Sequence, residues 1–180
     1  MNLQEIEALY LKRQSCRAFS DKDVPDELVT QICRLSLLAP SACNAQPWEL
    51  IAVKGERKRE VAKGLQDLGM NKFVSDAPVL IAVLEGKSNL TAKLGERLKR
   101  ADFTHNDIGI MVAHLVLAAE AAGLNTCILG WCNEKKLRAA LELDDKANVT
   151  EVIALGYAQD GYEIRPKKRT PLQDTYKLLK

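Results

Sequence analysis

Apolar residues recur along the chain with two periods, and the switches between them lay out most of the elements. Ile6, Leu9 and Tyr10 fall at helical spacing, so residues 3–12 are expected to form a short helix. From Pro25 onward, Leu28, Ile32, Leu35 and Leu38 recur at i, i+4, i+7 and i+10, which predicts an amphipathic helix ending near Ala39 and Pro40. Pro25 suits its first turn, where a missing N–H costs nothing and the fixed φ is already helical. Leu50 to Val53 is a short apolar strand. Residues 56–68 are charged and helical, with Val61 and Leu65 inward. Val79 to Leu84 is rich in β-branched residues and bounded by Pro78 and Gly86, which reads as a buried strand.

The stretch from Asp107 to Ala122 departs from this amphipathic pattern. It is apolar almost all round, and a helix apolar on every face is expected to be buried on every face. In a chain of 180 residues, a subunit interface is the natural cover for the side the core cannot reach. Gly123 suits the position just past its end. A strand from Thr126 to Trp131, a helix from Asn133 as N-cap to Leu141 and a strand from Val149 to Tyr157 follow. The tail over 160–180, with Pro166 and Pro171, is the least globular part. Strands alternating with helices give α+β or α/β layers. The length fits one domain over 1–180.

Composition narrows the function. Basic residues number 26 against 24 acidic and aromatics are 5%, so nucleic acid is not expected as the partner. The N-terminus lacks the basic and apolar regions of a signal peptide. Val79 to Leu84 is far too short to span a bilayer, and His114 and Glu120 interrupt the long helix. A soluble, cytoplasmic protein with no membrane partner is the expectation. Five cysteines, an odd number with no C-x-x-C, argue against a disulfide framework and against a thiolate zinc site. The two histidines are too few for a His-rich metal site, and His114 reads as a satisfied buried histidine. Small buried thiols in a reducing compartment are the reading that remains.

The chemistry concentrates in three polar clusters. Pro40-Ser41-Ala42-Cys43-Asn44-Ala45-Gln46-Pro47-Trp48 joins a helix to a strand, yet carries far more hydrogen-bonding chemistry than a turn requires. Arg13, Ser15 and Arg17 stand at period two, so in an extended segment they point the same way. Two guanidiniums flanking a hydroxyl make a phosphate cradle, although such a pattern alone is most often a solvated loop. Lys167-Lys168-Arg169 is a third basic cluster, by itself no more than a solvated tail. Neither a P-loop nor a G-x-G-x-x-G occurs. Gly130, where a strand meets the next helix, permits close approach of a ligand to backbone N–H groups, and equally reads as a plain strand end. Together the clusters suggest one site for an anionic, planar, hydrogen-bonding ligand.

In chain order the clusters resemble the nitroreductase family of flavin-dependent reductases. Residues 13–17 are similar to its R-x-S-x-[RK] element, and residues 39–48 to its A-P-S-x-x-N-x-Q-P-W element. The helix ending Ala118-Ala119-Glu120-Ala121-Ala122-Gly123-Leu124, with Cys127-Ile128-Leu129-Gly130-Trp131 after it, resembles the family's central dimer helix and following strand. V-I-A-L-G-Y at 152–157 and K-K-R-T-P-L at 167–172 match its C-terminal pattern. The resemblance implies an α+β three-layer fold, a mixed but mainly antiparallel sheet flanked by helices, in an intertwined homodimer with FMN at the subunit interface. It implies that Arg13, Ser15, Lys167 and Arg169 hold the phosphate, with Gln14 in the same element, and that Arg17 lies near the N1/O2 edge of the flavin. Pro40, Ser41 and Asn44 would come from the other subunit, and the tail would contribute to the dimer and the phosphate site. Backbone N–H groups of Leu129 and Gly130 would face N5/O4, and Asn71 and Lys72 the pyrimidine side. No residue of the protein would act as acid or base. The implied activity is ping-pong electron transfer from NADH or NADPH to an electron-poor acceptor such as a nitroaromatic or a quinone. Reductive dehalogenation, activated-alkene reduction and a low-turnover flavin-binding redox sensor are the alternatives. The compact, charged segment between Glu85 and Asp107 would leave the acceptor pocket open. Cys16 and Cys43, inside the two best-matched motifs, are either small filler or thiols sensitive to oxidation.

Overall fold

The computed structural model describes residues 2–86 and 103–180. The charged run from Lys87 to Arg100 lies outside the described residues. Four strands, β1 (Trp48–Val53), β2 (Val79–Glu85), β3 (Asn125–Leu129) and β4 (Val149–Gly156), form a sheet of order β1-β2-β4-β3, every neighbour antiparallel. β2 pairs Val83 with Leu50 and Ile81 with Ile153, so it is covered on both edges and both faces. That explains its unbroken apolar run, because a strand buried on both sides has no solvent face to alternate toward.

Alternation along β2 and β4 divides the core into two layers. Leu80, Ala82, Leu84, Val152 and Ala154 face Val61, Ala62 and Leu65 of α3 (Gly55–Leu65) and Leu137 of α5 (Glu134–Ala140). Val79, Ile81, Val83, Ile153 and Leu155 face Val29 and Ile32 of α2 (Asp26–Ser36) and Ile108, Met111, Val112, Leu115 and Val116 of α4 (Phe103–Ala121). The result is helix, sheet, helix: the three-layer α+β fold. α3 and α5 approach closely because Gly64 has no side chain. A Cβ there would come within 2.9 Å of Leu137.

Several boundaries differ from the sequence pattern. Pro25 caps α2 instead of entering its first turn, its carbonyl accepting from the N–H groups of Leu28 and Val29. α2 stops at Ser36, short of Ala39; beyond it the chain tightens into i−3 turns, the N–H groups of Leu38 and Ala39 donating to the carbonyls of Leu35 and Ser36 as it approaches Pro40. β3 ends at Leu129, two residues before Trp131. α4 is not buried on every face within the chain. Ile110 is 40% exposed, and Ala113 and His114 lie open on the same side. His114 is therefore not a buried histidine, although its Nδ1 lies 2.9 Å from the Ile110 carbonyl. Gly123 ends the helix as expected, with φ +77° and its N–H donated to the Glu120 carbonyl.

Candidate functional site

α1 (Leu3–Lys12) opens on a capping box between Asn2 and Glu5 and ends when Arg13 turns extended. From there residues 13–17 run parallel to β3. Ser15 bridges Thr126, and the Cys16 N–H donates to the Thr126 carbonyl at 2.8 Å. Alternation buries Gln14 and Cys16 and turns Arg13, Ser15 and Arg17 outward, the orientation their period-two spacing predicts.

The C-terminal tail returns against this segment and is fastened to it by side chains. The Gln14 amide donates to the Glu163 carbonyl at 2.9 Å and accepts from the backbone N–H and Nε of Arg165 at 3.1 and 3.2 Å. The Arg165 guanidinium donates to the Ser15 carbonyl at 2.7 Å, and Lys167 Nζ to the Arg13 carbonyl at 2.7 Å. The Tyr162 hydroxyl accepts from the Arg17 N–H and donates to the Ser15 carbonyl. Between residues 13–17 and 165–169 lies a cleft of about 570 Å³. It is lined by Arg13, Arg17, Arg165, Lys167, Lys168 and Arg169, with no carboxylate among its lining residues. Partial burial and the charges of Arg13, Arg169 and Arg165 hold the Lys167 ammonium below its usual pKa, and Glu120 pulls the other way. A concave surface lined by this much positive charge attracts anions.

A second group surrounds the exit of β3. Leu129 is buried, Gly130 is exposed, and a Cβ at Gly130 would meet nothing within 4 Å, so its backbone stands open. Asn71, in the left-handed region at φ +50°, donates from Nδ2 to the carbonyls of Leu65 and Trp131 at 3.2 and 3.4 Å. It therefore braces the chain just beyond Gly130, with Lys72 exposed beside it.

The loop over 40–48 does not line the cleft of its own chain. Pro40 and Asn44 are exposed and Ser41 is half-buried. Cys43, Asn44 and Gln46 all have positive φ, at +51°, +52° and +47°. Non-glycine residues in this region are strained by up to about 1–3 kcal/mol each. Side-chain hydrogen bonds brace the loop, the Gln46 amide donating to the Asn44 carbonyl at 3.4 Å among them. The Ser41 hydroxyl accepts from the Gln46 N–H at 2.9 Å, and the buried Asp107 carboxylate accepts from the Ala42 N–H at 3.0 Å.

The candidate residues thus divide into a cleft group (Arg13, Gln14, Ser15, Arg17, Lys167, Arg169), a strand-exit group (Asn71, Lys72, Leu129, Gly130) and a loop group (Pro40, Ser41, Asn44). Two participants escaped the sequence reading. Arg165 had a signal: Arg165, Lys167 and Arg169 repeat the period-two spacing of residues 13–17. Tyr162 had none. Among the described residues, no group of three or more His, Cys, Asp or Glu could hold a metal ion, and no helix is long and apolar enough to cross a membrane.

Known proteins resemble this chain along nearly its whole length. The model of the nitroreductase family matches residues 10–69 and 57–157. An NADH dehydrogenase of Thermus thermophilus is 28% identical, over 91% of this chain and 90% of that one. An iodotyrosine dehalogenase 1 homolog of Caenorhabditis elegans is 27% identical, over 92% of this chain and 58% of that protein. Among solved structures, the FMN-dependent nitroreductase NfnB from Mycobacterium smegmatis in complex with NADPH superposes with a TM-score of 0.79. It shares 21% identity and covers 98% of this chain and 99% of that one.

Proposed function

The chain belongs to the nitroreductase family, and from that premise we propose that it is an FMN-dependent oxidoreductase working as a homodimer. The observation that carries this reading is the carboxylate-free cleft of six cations beside the edge strand β3. FMN fits what the residues offer: a dianionic phosphate for the cleft, and a flat ring for the open backbone at Gly130. When bound, FMN supplies the two-electron chemistry between NADH or NADPH and an electron-poor acceptor.

The rest is the work of this chain. Arg13, Lys167 and Arg169 bind the phosphate with charge-assisted donors, and the Ser15 hydroxyl adds a neutral one. Arg165 holds residues 13–17 and the tail at a fixed separation through Gln14 and the Ser15 carbonyl. Arg17, on the same outward face, would supply a cation to stabilise negative charge on a bound flavin. The backbone N–H groups of Leu129 and Gly130 would be available to hydrogen-bond the flavin ring. Asn71 keeps that backbone in place by anchoring Trp131, with Lys72 beside it. The strained loop bearing Pro40, Ser41 and Asn44 reaches the site of the other subunit. In the ping-pong exchange this reading implies, no acid or base of the protein would be required. The acceptor class is nitroaromatics, quinones and similar electron-poor compounds.

Purification tests this directly. The protein should be yellow, release FMN on denaturation, bleach anaerobically with NADH or NADPH, and recover its colour with a nitroaromatic or a quinone. A colourless protein that binds no added FMN would overturn the reading. Reductive dehalogenation is the second reading, favoured by the iodotyrosine dehalogenase relative. Turnover of a halogenated phenol with release of halide, faster than any nitroaromatic, would select it.

A further inference from the structure

The strand-exit group carries a side chain that the proposed chemistry leaves unused. Trp131 immediately follows Gly130, whose backbone stands open, and is itself 53% exposed, whereas Trp48, the other tryptophan of the chain, is buried. An amphipathic side chain at a surface ordinarily keeps its polar tip in water. Trp131 spends that tip on the protein: its Nε1–H donates to the Asp67 carbonyl at 3.4 Å, so the surface it leaves open is chiefly apolar ring. The ring is also held. The Trp131 carbonyl accepts from Nδ2 of Asn71 at 3.4 Å, the Asp67 carboxylate from Nζ of Lys136 at 3.1 Å, and the Gly64 carbonyl from the Asn133 N–H at 2.8 Å. Together these bonds fasten the turn after α3 to the start of α5. The turn itself is strained, with Leu68, Gly69 and Asn71 at φ +55°, +77° and +50°. Leu68 and Met70, next along the chain from the Asp67 contact, are exposed as well. Asp67 is paired with Lys136, so it adds no bare carboxylate to this apolar surface.

Resting on the reading of the protein as an FMN-dependent oxidoreductase with its ring at Gly130, we propose that Trp131 is the aromatic wall of the acceptor pocket and selects acceptors with a planar, electron-poor ring. Indole is electron-rich and nitroaromatic rings are electron-poor, so their contact adds an electrostatic attraction to the burial of apolar area. Because hydrogen bonds to Asp67 and Asn71 fix the indole in advance, little side-chain freedom is lost when a ligand packs on it. A saturated ring of the same size and charge gains the burial and not the attraction.

The test titrates the oxidised holoprotein, with neither NADH nor NADPH present, with 4-nitrobenzoate and with cyclohexanecarboxylate, following the flavin absorbance. Without a reductant nothing turns over, so each titration reads binding alone. Both probes carry one carboxylate on a six-membered ring, and only the first is flat and electron-poor, so their affinity ratio isolates the aromatic contact. In Trp131→Leu the ratio should fall by about threefold to tenfold, the range of one aromatic pair. Trp131→Phe loses the bond to Asp67 and keeps an aromatic face, so its ratio should stay within about twofold of wild type. A merely structural role would weaken both probes together, in Phe as in Leu, and that result overturns the proposal. A Leu variant with the wild-type ratio overturns it as well and leaves the flavin reading standing. Acrylamide quenching of the ligand-free holoprotein tests for another occupant, because Trp48 is buried and the accessible emission belongs to Trp131. That emission should be quenched in the wild type and missing in Trp131→Leu. A Trp131 already shielded would mean that another segment or a second copy covers it, and would overturn the wall. A protein that binds no FMN overturns the flavin reading and the wall together.

Discussion

Arg165 spends its hydrogen bonds on Gln14 and the Ser15 carbonyl, so its charge reaches the cleft from a fixed position. Replacing it with Ala removes one cation and one fastening together. FMN affinity of Arg165→Ala should drop by about 1.5–3 kcal/mol, as for Arg13→Ala or Arg169→Ala. Fluorescence titration of the apoprotein measures it, and unchanged affinity in all three would remove the phosphate assignment. The two motif cysteines separate on burial. Cys16 is fully buried, donates its thiol to the Ala18 carbonyl at 3.2 Å, and has its pKa raised by burial. Reactivity belongs to the exposed thiolate, so Cys16 is filler, and only the exposed Cys43 keeps a basis for oxidation sensitivity. Iodoacetamide followed by peptide mass mapping should leave Cys16 unmodified in the native protein and label it after unfolding. The sequence motif held both cysteines in equivalent places. What distinguishes them is the pairing of Ser15 with Thr126, a contact across more than a hundred residues that no local pattern encodes.

At the scale of elements, α4 and the loop over 40–48 act as one unit. The apolar character of α4 was legible, but its division into two faces was not. Leu115 and Val116 belong to the core of the chain, whereas Ile110 and Ala113 lie open. A charge at Leu115 would therefore test folding and say nothing of assembly. Ile110→Glu tests the proposed dimer: light scattering should report the mass of one chain while circular dichroism stays native. A folded dimer with that substitution would place the interface elsewhere. The same helix supplies Asp107 to the loop. In Asp107→Ala the Ala42 N–H loses its carboxylate acceptor, and the loop bearing three left-handed residues loses a tie to α4. Urea unfolding should show a loss of about 1.5–3 kcal/mol, with faster proteolytic cutting between residues 40 and 48. The polar excess of this loop announced a special role in the sequence. The positive φ values did not, because Cys and Gln carry no left-handed signature.

For the molecule as a whole, hydrophobic period laid out most of the elements and left α+β and α/β layering open; the three-layer α+β arrangement was expected only from the motif resemblance. The fastening of residues 13–17 to the tail was not legible, because Gln14 and its partners lie about 150 positions apart. The same three-layer burial gives the molecule an alkaline limit. Cys16, Cys33, Cys127 and Cys132 all have thiol pKa values raised above the ordinary 9.0, burial being the first cause in each. Below that value both folded and unfolded chains keep these protons. Above it the unfolded chain releases them first and binds fewer protons than the native state, so stability falls with rising pH. Lys58 acts in the opposite sense. Its folded pKa is lowered from 10.5, chiefly by burial, so the native state sheds that proton earlier and gains stability as pH climbs toward 10.5. The two windows overlap, and total stability alone cannot separate them. The double variant Cys16→Ala with Cys127→Ala leaves the Lys58 contribution intact and removes two thiols. Urea unfolding at about pH 7 and about pH 10 should show wild type losing more stability over that interval than the variant. Equal losses would mean that these two thiols ionise in the fold as readily as in the unfolded chain.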